Sequence, residues 1–190
     1  MISPEKAQQF KRAFGKTVAI QQRPEALFRS VRSALAFAYS IQHFPISASP
    51  SLLPTVGNSG RLSNFSPQEK HAQGALIRKA AEQRLRGMDL AITWAYYGTG
   101  EVRATAIHEV SKEVAKLVRR SGLGMELAKR HFSRNGIRKS QEQLAKEFNV
   151  SQQTASRLDI LVANEIDRLR MVAEQRLEQL FVSTGIAETV

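Results

Sequence analysis

The sequence predicts an all-α, multi-helix fold with a C-terminal helix-turn-helix followed by a long amphipathic helix. Apolar residues make up 42% of the 190 residues, which is enough for a core, and most recur at the three- and four-residue spacing of a helix. The stretch Ser66-Pro67-Gln68-Glu69 carries the signals of a helix start: a capping serine, a proline at the first position and a glutamate at the third. From residue 137 to residue 184, neither glycine nor proline interrupts the chain.

Residues 1–41 are predicted to form an N-terminal helical segment. Ser3-Pro4-Glu5 marks one helix start, because proline at the first helical position loses no intrahelical hydrogen bond. A second helix is expected to begin near Pro24. The phenylalanines of this segment are predicted to make core contacts rather than a platform for stacked bases: Phe10, Phe14, Phe28 and Phe37.

Residues 42–65 are predicted to form a Pro/Ser-rich loop or linker. Pro45, Pro50 and Pro54 are spaced along it, and no helical period survives. A structureless stretch of this length is uncommon inside a compact domain, so the segment is either a flexible linker or a functional loop. Apolar residues such as Leu52 and Leu53 leave open the alternative that it docks on another surface.

Residues 66–190 are predicted to form one helical domain, whose first helix runs from Ser66 to Tyr97. Its inward face is predicted to comprise Leu76, Ile77, Ala80, Leu85, Met88, Ile92 and Ala95. Its aromatic end is predicted to be a packing cluster of Trp94, Tyr96 and Tyr97.

The next helix is predicted over residues 104–121. Its inward stripe is predicted to be Ile107, Val110, Val114, Leu117 and Val118. Gly122 and Gly124 are expected to end it, and a short helix over residues 125–132 follows.

Residues 140–162 contain the predicted helix-turn-helix. Ser140 is a good N-cap, and Gln143 stands where it completes a capping box. Leu144 and Phe148 are four residues apart and therefore share one face of the first helix.

The turn and the second helix of the motif carry the residues that point to DNA. Asn149 stands where a tight turn needs a residue that tolerates the left-handed region. Ser151 caps the second helix, and with the free amides of the helix start it suits a phosphate. Four polar residues are left outside and suit base edges in the major groove: Gln152, Gln153, Ser156 and Arg157. The alternative is a pair of packed helices with a polar outer face.

The net charge of +11 and a sequence pI of about 10.4 fit a nucleic-acid-binding protein. Residues 61–140 carry sixteen basic and seven acidic residues, whereas residues 141–190 carry five and eight. A basic surface beside the motif would supply sequence-independent affinity. Phosphate contacts are predicted for Arg119, Arg120, Lys129, Arg130, Arg134, Arg138 and Lys139, together with Ser151. A solvated basic face is the alternative.

The second helix of the motif continues as an amphipathic helix to about Phe181. Its apolar stripe is predicted to comprise Leu161, Val162, Ile166, Leu169, Val172, Ala173, Leu177 and Leu180. Packing on the Ser66–Tyr97 helix is favoured over packing on a second copy of the chain, and a homodimer remains an open alternative.

Nothing in the sequence predicts catalysis, a cofactor or a metal site. The four histidines are scattered, no nucleophile or phosphate-loop motif occurs, and there is no cysteine. No apolar run approaches the length of a membrane helix, and the N-terminus lacks a signal core. We therefore expect a soluble, cytoplasmic protein.

The order of these features resembles the Q class of phage-type late-gene antiterminators. The features are a long helix with an aromatic-Gly end, a basic helical pair, the motif SQEQLAKEFNVSQQTASRL at residues 140–158 and an amphipathic tail. The motif is also similar to the DNA-contacting region 4 of sigma factors, and the resemblance covers about residues 90–180. It implies a protein of phage or prophage origin that binds DNA near a promoter, joins paused RNA polymerase and lets it pass terminators. Q-class members with a zinc site have cysteines for it, so this chain would belong with the zinc-free members.

The resemblance also implies roles for particular segments. The four outer residues of the second helix would contact bases, and the basic stretch, Lys116 to Lys139, would hold phosphates. The Pro-rich loop and the N-terminal helices would be candidates for contact with polymerase or the RNA exit path. Two rival functions remain: a conventional dimeric helix-turn-helix repressor or activator, and a phage DNA-packaging or assembly protein.

Overall fold

The computed structural model describes residues 26–43, 62, 65–133 and 139–188. Within these residues it contains seven α-helices and no strand, which confirms the predicted all-α fold. The helices are α1 (Val31–Ser40), α2 (Pro67–Arg84), α3 (Met88–Tyr97), α4 (Gly100–Ala115), α5 (Ser121–Phe132), α6 (Gln141–Glu147) and α7 (Gln152–Ser183). A 3-10 turn, Ile41–His43, follows α1.

Helix α7 is the central helix of the described structure. Its 32 residues give it a length of about 48 Å, and it contacts each of the other six helices. Its inner face buries Ala155, Val162, Ile166, Ala173, Leu177 and Phe181. The predicted amphipathic helix therefore packs within its own chain, as favoured from the sequence, and its main partners include α3.

The segment before α1 pairs with the segment after α7. Phe28 forms a single parallel bridge with Ala187, and its N–H donates to the carbonyl of Ile186 at 2.9 Å. Phe28 also packs against Phe37 at 5.2 Å between ring centroids, which agrees with a core role for both rings. Buried residues of α1 thus share one core with buried residues of α2 to α7.

The predicted single helix from Ser66 to Tyr97 is wrong, because the chain bends between α2 and α3. Gly87 has φ 55°, and Leu85 leaves the helix to bury its side chain completely. Leu76 of α2, predicted to face inward, is 58% exposed.

The boundary between α4 and α5 also differs from the prediction. Helix α4 ends at Ala115, and the turn after it leaves Leu117 53% exposed. Gly122 and Gly124 lie inside the first turn of α5 rather than breaking the chain. A Cβ on Gly124 would stand 2.9 Å from Cα of Ala115, so glycine permits the close crossing of α4 and α5.

The aromatic cluster at the end of α3 is confirmed as a packing cluster. Tyr96 packs edge-on against Phe132 of α5 at 5.3 Å between centroids, and Tyr97 stacks on Tyr39 of α1 at 6.5 Å. Their hydroxyls donate to α7: Tyr96 to Asp167 at 3.0 Å, and Tyr97 to Glu174 at 2.8 Å.

Several predictions lie outside the described residues. These are the helix at Ser3–Phe14 with Phe10 and Phe14, most of the loop at 42–65, and the basic residues Arg134 and Arg138. Among the helices that are described, none is both long and apolar enough to span a bilayer.

Candidate nucleic-acid interface

Helix α6 begins with a reciprocal cap. The N–H of Gln143 donates to Oγ of Ser140 at 3.1 Å, and the N–H of Ser140 donates to Oε1 of Gln143 at 2.7 Å. Two amides that have no partner in the helix are thereby satisfied, and a cap of this kind is typically worth ~1 kcal/mol. The capping box predicted from the sequence is confirmed.

The turn after α6 is a Schellman turn built around Asn149. This residue has φ 48° and is the single non-glycine residue with positive φ among those described. The N–H of Val150 donates to the carbonyl of Ala145 at 2.9 Å, and that of Asn149 to the carbonyl of Lys146 at 3.3 Å. This pair of bonds ends a helix and reverses the chain. The predicted left-handed conformation at Asn149 is confirmed.

A third cap starts α7. The N–H of Thr154 donates to Oγ of Ser151 at 3.1 Å, and the two hydroxyl oxygens lie 2.8 Å apart. Below the cap, α6 and α7 are in contact, and Leu144, Ala145 and Ala155 are each at most 5% exposed. The two alanines are small, which suits a close crossing of the helices.

One carboxylate joins three helices at the motif. Oδ2 of Asp159 on α7 accepts a hydrogen bond from Nη1 of Arg130 on α5 at 2.6 Å and another from Nε2 of Gln141 on α6 at 2.8 Å. The side chains of Arg130 and Asp159 are only about a quarter exposed, at 24% and 23%. Hydrogen bonds to a carboxylate at these distances are strong, so the Arg130 bond ties α5 to α7 and the Gln141 bond ties α6 to α7.

A second arginine, Arg120, bonds to the backbone of the turn between α6 and α7. Nη1 of Arg120, in the segment before α5, donates to the carbonyls of Phe148 and Asn149, the latter at 2.9 Å. These carbonyls lie at the carboxyl end of α6, where a positive charge is also favourable. The left-handed turn is thus tied to the α4–α5 junction.

The outer face of α7 begins with the four residues predicted to contact bases. Gln152, Gln153 and Arg157 are exposed, and Ser156 is half-buried. None of these four side chains makes a hydrogen bond or ion pair with another described residue. They share the first two turns of one helix, with their donors and acceptors turned to solvent. Their contact with bases remains a prediction.

The residues predicted to bind phosphate have different partners. Lys129 pairs with Glu126 at 3.0 Å, and Lys139 pairs with Glu147 at 2.7 Å. The bond to Glu147 raises the pKa of Lys139 above its ordinary value. The pair with Glu147 is exposed and the pair with Glu126 is partly buried, and ion pairs at the surface are weak enough for a phosphate to replace the carboxylate. Arg119 is exposed and has no ion-pair partner in the described part of the chain.

No protein-family model matches this chain, and no curated protein matches it significantly. Among the described residues there is no group of three or more histidine, aspartate or glutamate side chains that could hold a metal ion.

Sequence reasoning missed the internal bonds that hold the motif. Charge alone placed Arg120 and Arg130 among the phosphate ligands, whereas the structure gives both of them partners within the motif. Gln141, which bonds to the same carboxylate as Arg130, was not predicted to have a role. The signal in the sequence that could have indicated these bonds is Asp159, the sole acidic residue between positions 148 and 164. A lone carboxylate beside a basic stretch is a candidate for an internal ion pair.

Proposed function

We propose that this protein is a sequence-specific DNA-binding transcription regulator that acts through the helix-turn-helix of α6 and α7. The observation that carries the proposal is the exposed start of α7. Gln152, Gln153 and Arg157 turn their polar groups to solvent there, on a motif whose caps and cross-links leave it little freedom. These side chains have the geometry to pair with adenine and guanine edges.

The dimensions of the motif fit the major groove. The groove is about 12 Å wide and admits one helix of about 10–12 Å diameter. The first turns of α7 would enter it, as in other proteins with this motif, and α6 would cross the backbone. Arg119, Lys129 and Lys139 would supply phosphate contacts, so affinity should fall with increasing salt.

The sharper form of the proposal is antitermination. It is supported by the resemblance over residues 90–180, and it requires RNA polymerase as a second partner. A conventional dimeric regulator would instead bind half-sites about one helical turn apart without needing a terminator.

Selection from a random duplex library, followed by binding measurements on the enriched site, tests DNA recognition. We expect Arg157→Ala to weaken binding to the selected site by roughly 1–3 kcal/mol and to change binding to random DNA little. As a control, Lys139→Ala should weaken both and reduce the salt slope by about one unit. Absence of any enriched sequence, or an Arg157→Ala variant with unchanged target affinity, would overturn the proposal.

Transcription in vitro separates the two forms of the proposal. The template carries a promoter, the selected site and a terminator, and initiation and read-through are measured separately. Increased read-through at constant initiation supports antitermination. A change in initiation alone identifies a conventional regulator.

A further inference from the structure

The exposed face of α7 includes a large apolar residue among the polar ones. Ile160 is 60% exposed, the highest value among the exposed large apolar residues of the described chain. It follows Gln153 by seven positions and Arg157 by three, so all three share one face of the helix. The buried stripe formed by Val162 and Ile166 lies on the opposite side.

Packing within the protein does not explain this isoleucine. Ile160 is absent from the core and from the partly buried residues that surround it, whereas its neighbour Leu158 packs against the core. The next exposed apolar side chain on the same face, Met171, is eleven residues further along, which is about 16 Å. Ile160 therefore belongs spatially with Gln153 and Arg157.

We propose that Ile160 is a specificity-determining residue that contacts the C5-methyl group of a thymine in the DNA target. This inference rests on the proposed function. The thymine methyl is the one apolar group that the base pairs present in the major groove, and it distinguishes thymine from cytosine. Ile160 lies about 10 Å beyond Gln153 along the axis, so it extends the contact surface by two helical turns. Contact would remove both apolar groups from water.

The test uses the duplex selected from the random library, with each thymine in turn replaced by deoxyuridine, which lacks only the methyl group. We expect one replacement to weaken wild-type binding about fourfold, the effect of losing one buried methyl group. The Ile160→Ala variant should bind the unmodified duplex more weakly and should be insensitive to that replacement. Met171→Ala is the matched control and should keep wild-type affinity and wild-type sensitivity.

The outcomes separate this inference from the proposed function. If no sequence is enriched, DNA recognition itself is wrong. If a site is enriched and Arg157→Ala weakens it, but no thymine shows a loss that depends on Ile160, only the thymine contact is overturned. If Ile160→Ala leaves duplex affinity intact and removes the effect on transcription, the side chain contacts a protein, and the thymine contact is again wrong.

Discussion

The two parts of α7 meet the rest of the chain differently. Between residues 152 and 161 only Ala155 is buried, and the outer side chains face solvent. From Val162 onward the helix has a continuous buried face, and it is joined to α1 and α3 by polar side chains. Arg32 pairs with Glu174 at 3.2 Å, and Arg176 pairs with the buried Asp89 of α3.

The difference shows how one helix can be anchored along most of its length and still present exposed side chains at its start. A helix is continuous through its backbone hydrogen bonds, so fixing its last two-thirds also fixes the direction of the first third. The first part then needs few buried groups of its own. Its side chains are left available for a ligand, at the expense of local stability.

Alkaline pH should destabilise the folded protein through its three tyrosines. Burial raises the pKa of all three tyrosines of the chain, Tyr39, Tyr96 and Tyr97, above the ordinary value of 10.0. The unfolded chain loses these protons near pH 10 and the folded chain does not, so stability is intact below pH 10 and falls above it. The loss is at most about 4 kcal/mol per pH unit for three protons, and less because Tyr96 is only half-buried.

Tyrosinate absorbance and the helical circular dichroism signal, followed together against pH, check this expectation. The two should change in one transition well above pH 10. Ionisation near pH 10 with the helices intact would show that the tyrosines are not protected.

Truncating the anchored part should cost more than truncating the contact surface. Leu177 is fully buried, so Leu177→Ala should lower the free energy of unfolding by about 2–5 kcal/mol. Gln153→Ala, on the exposed part of the same helix, should change it by less than about 0.5 kcal/mol. Urea denaturation measures the free energy of unfolding of both variants. Equal decreases would show that the two parts of α7 contribute equally to stability.

The turn before α7 should be sensitive to backbone conformation. Asn149 has φ 48°, so Asn149→Ala should destabilise the protein by about 1 kcal/mol, because alanine lacks the short polar side chain whose local hydrogen bonds let asparagine tolerate the left-handed region. Asn149→Gly should lie within a few tenths of a kcal/mol of wild type, because glycine adopts this conformation without strain. Thermal unfolding of the two variants measures the difference. If Asn149→Ala were as stable as wild type, the left-handed turn would be excluded.

Local signals in the sequence predicted the motif well. The helix caps bond residues only three positions apart, and the turn depends on the conformation of a single residue. The structure has the predicted caps at Ser140 and Ser151, with Gln143 completing the first, and the predicted turn at Asn149. Such bonds depend on spacing along the chain, which the sequence shows directly.

Contacts between distant segments could not be predicted in the same way. Arg120 bonds to residues 28 and 29 positions away, and Arg130 to one 29 positions away. Charge density cannot tell an arginine that binds a carbonyl from one that faces solvent. The same limit explains Leu76 and Leu161: both fit a helical stripe, yet they are 58% and 45% exposed, because which face is covered depends on the neighbouring helix.

The adjacent residues Arg119 and Arg120 provide the smallest and most discriminating comparison. Arg119 is exposed without an ion-pair partner among the described residues, whereas Arg120 donates to the carbonyls of Phe148 and Asn149. Arg119→Ala should leave stability unchanged and reduce the salt slope of DNA binding by about one unit. Arg120→Ala should lower stability by roughly 0.5–1.5 kcal/mol and reduce the salt slope little.

Arg120→Lys separates charge from geometry. Lysine keeps the positive charge but lacks the planar fork that bridges two carbonyls, so it should restore the stability lost in Arg120→Ala only in part. If the alanine variants at 119 and 120 change the salt slope equally and leave stability untouched, both arginines hold phosphates and the turn is held by its backbone bonds alone. If only Arg120 affects stability, the basic stretch has two functions, and a count of positive charges overestimates the number of phosphates that this protein contacts.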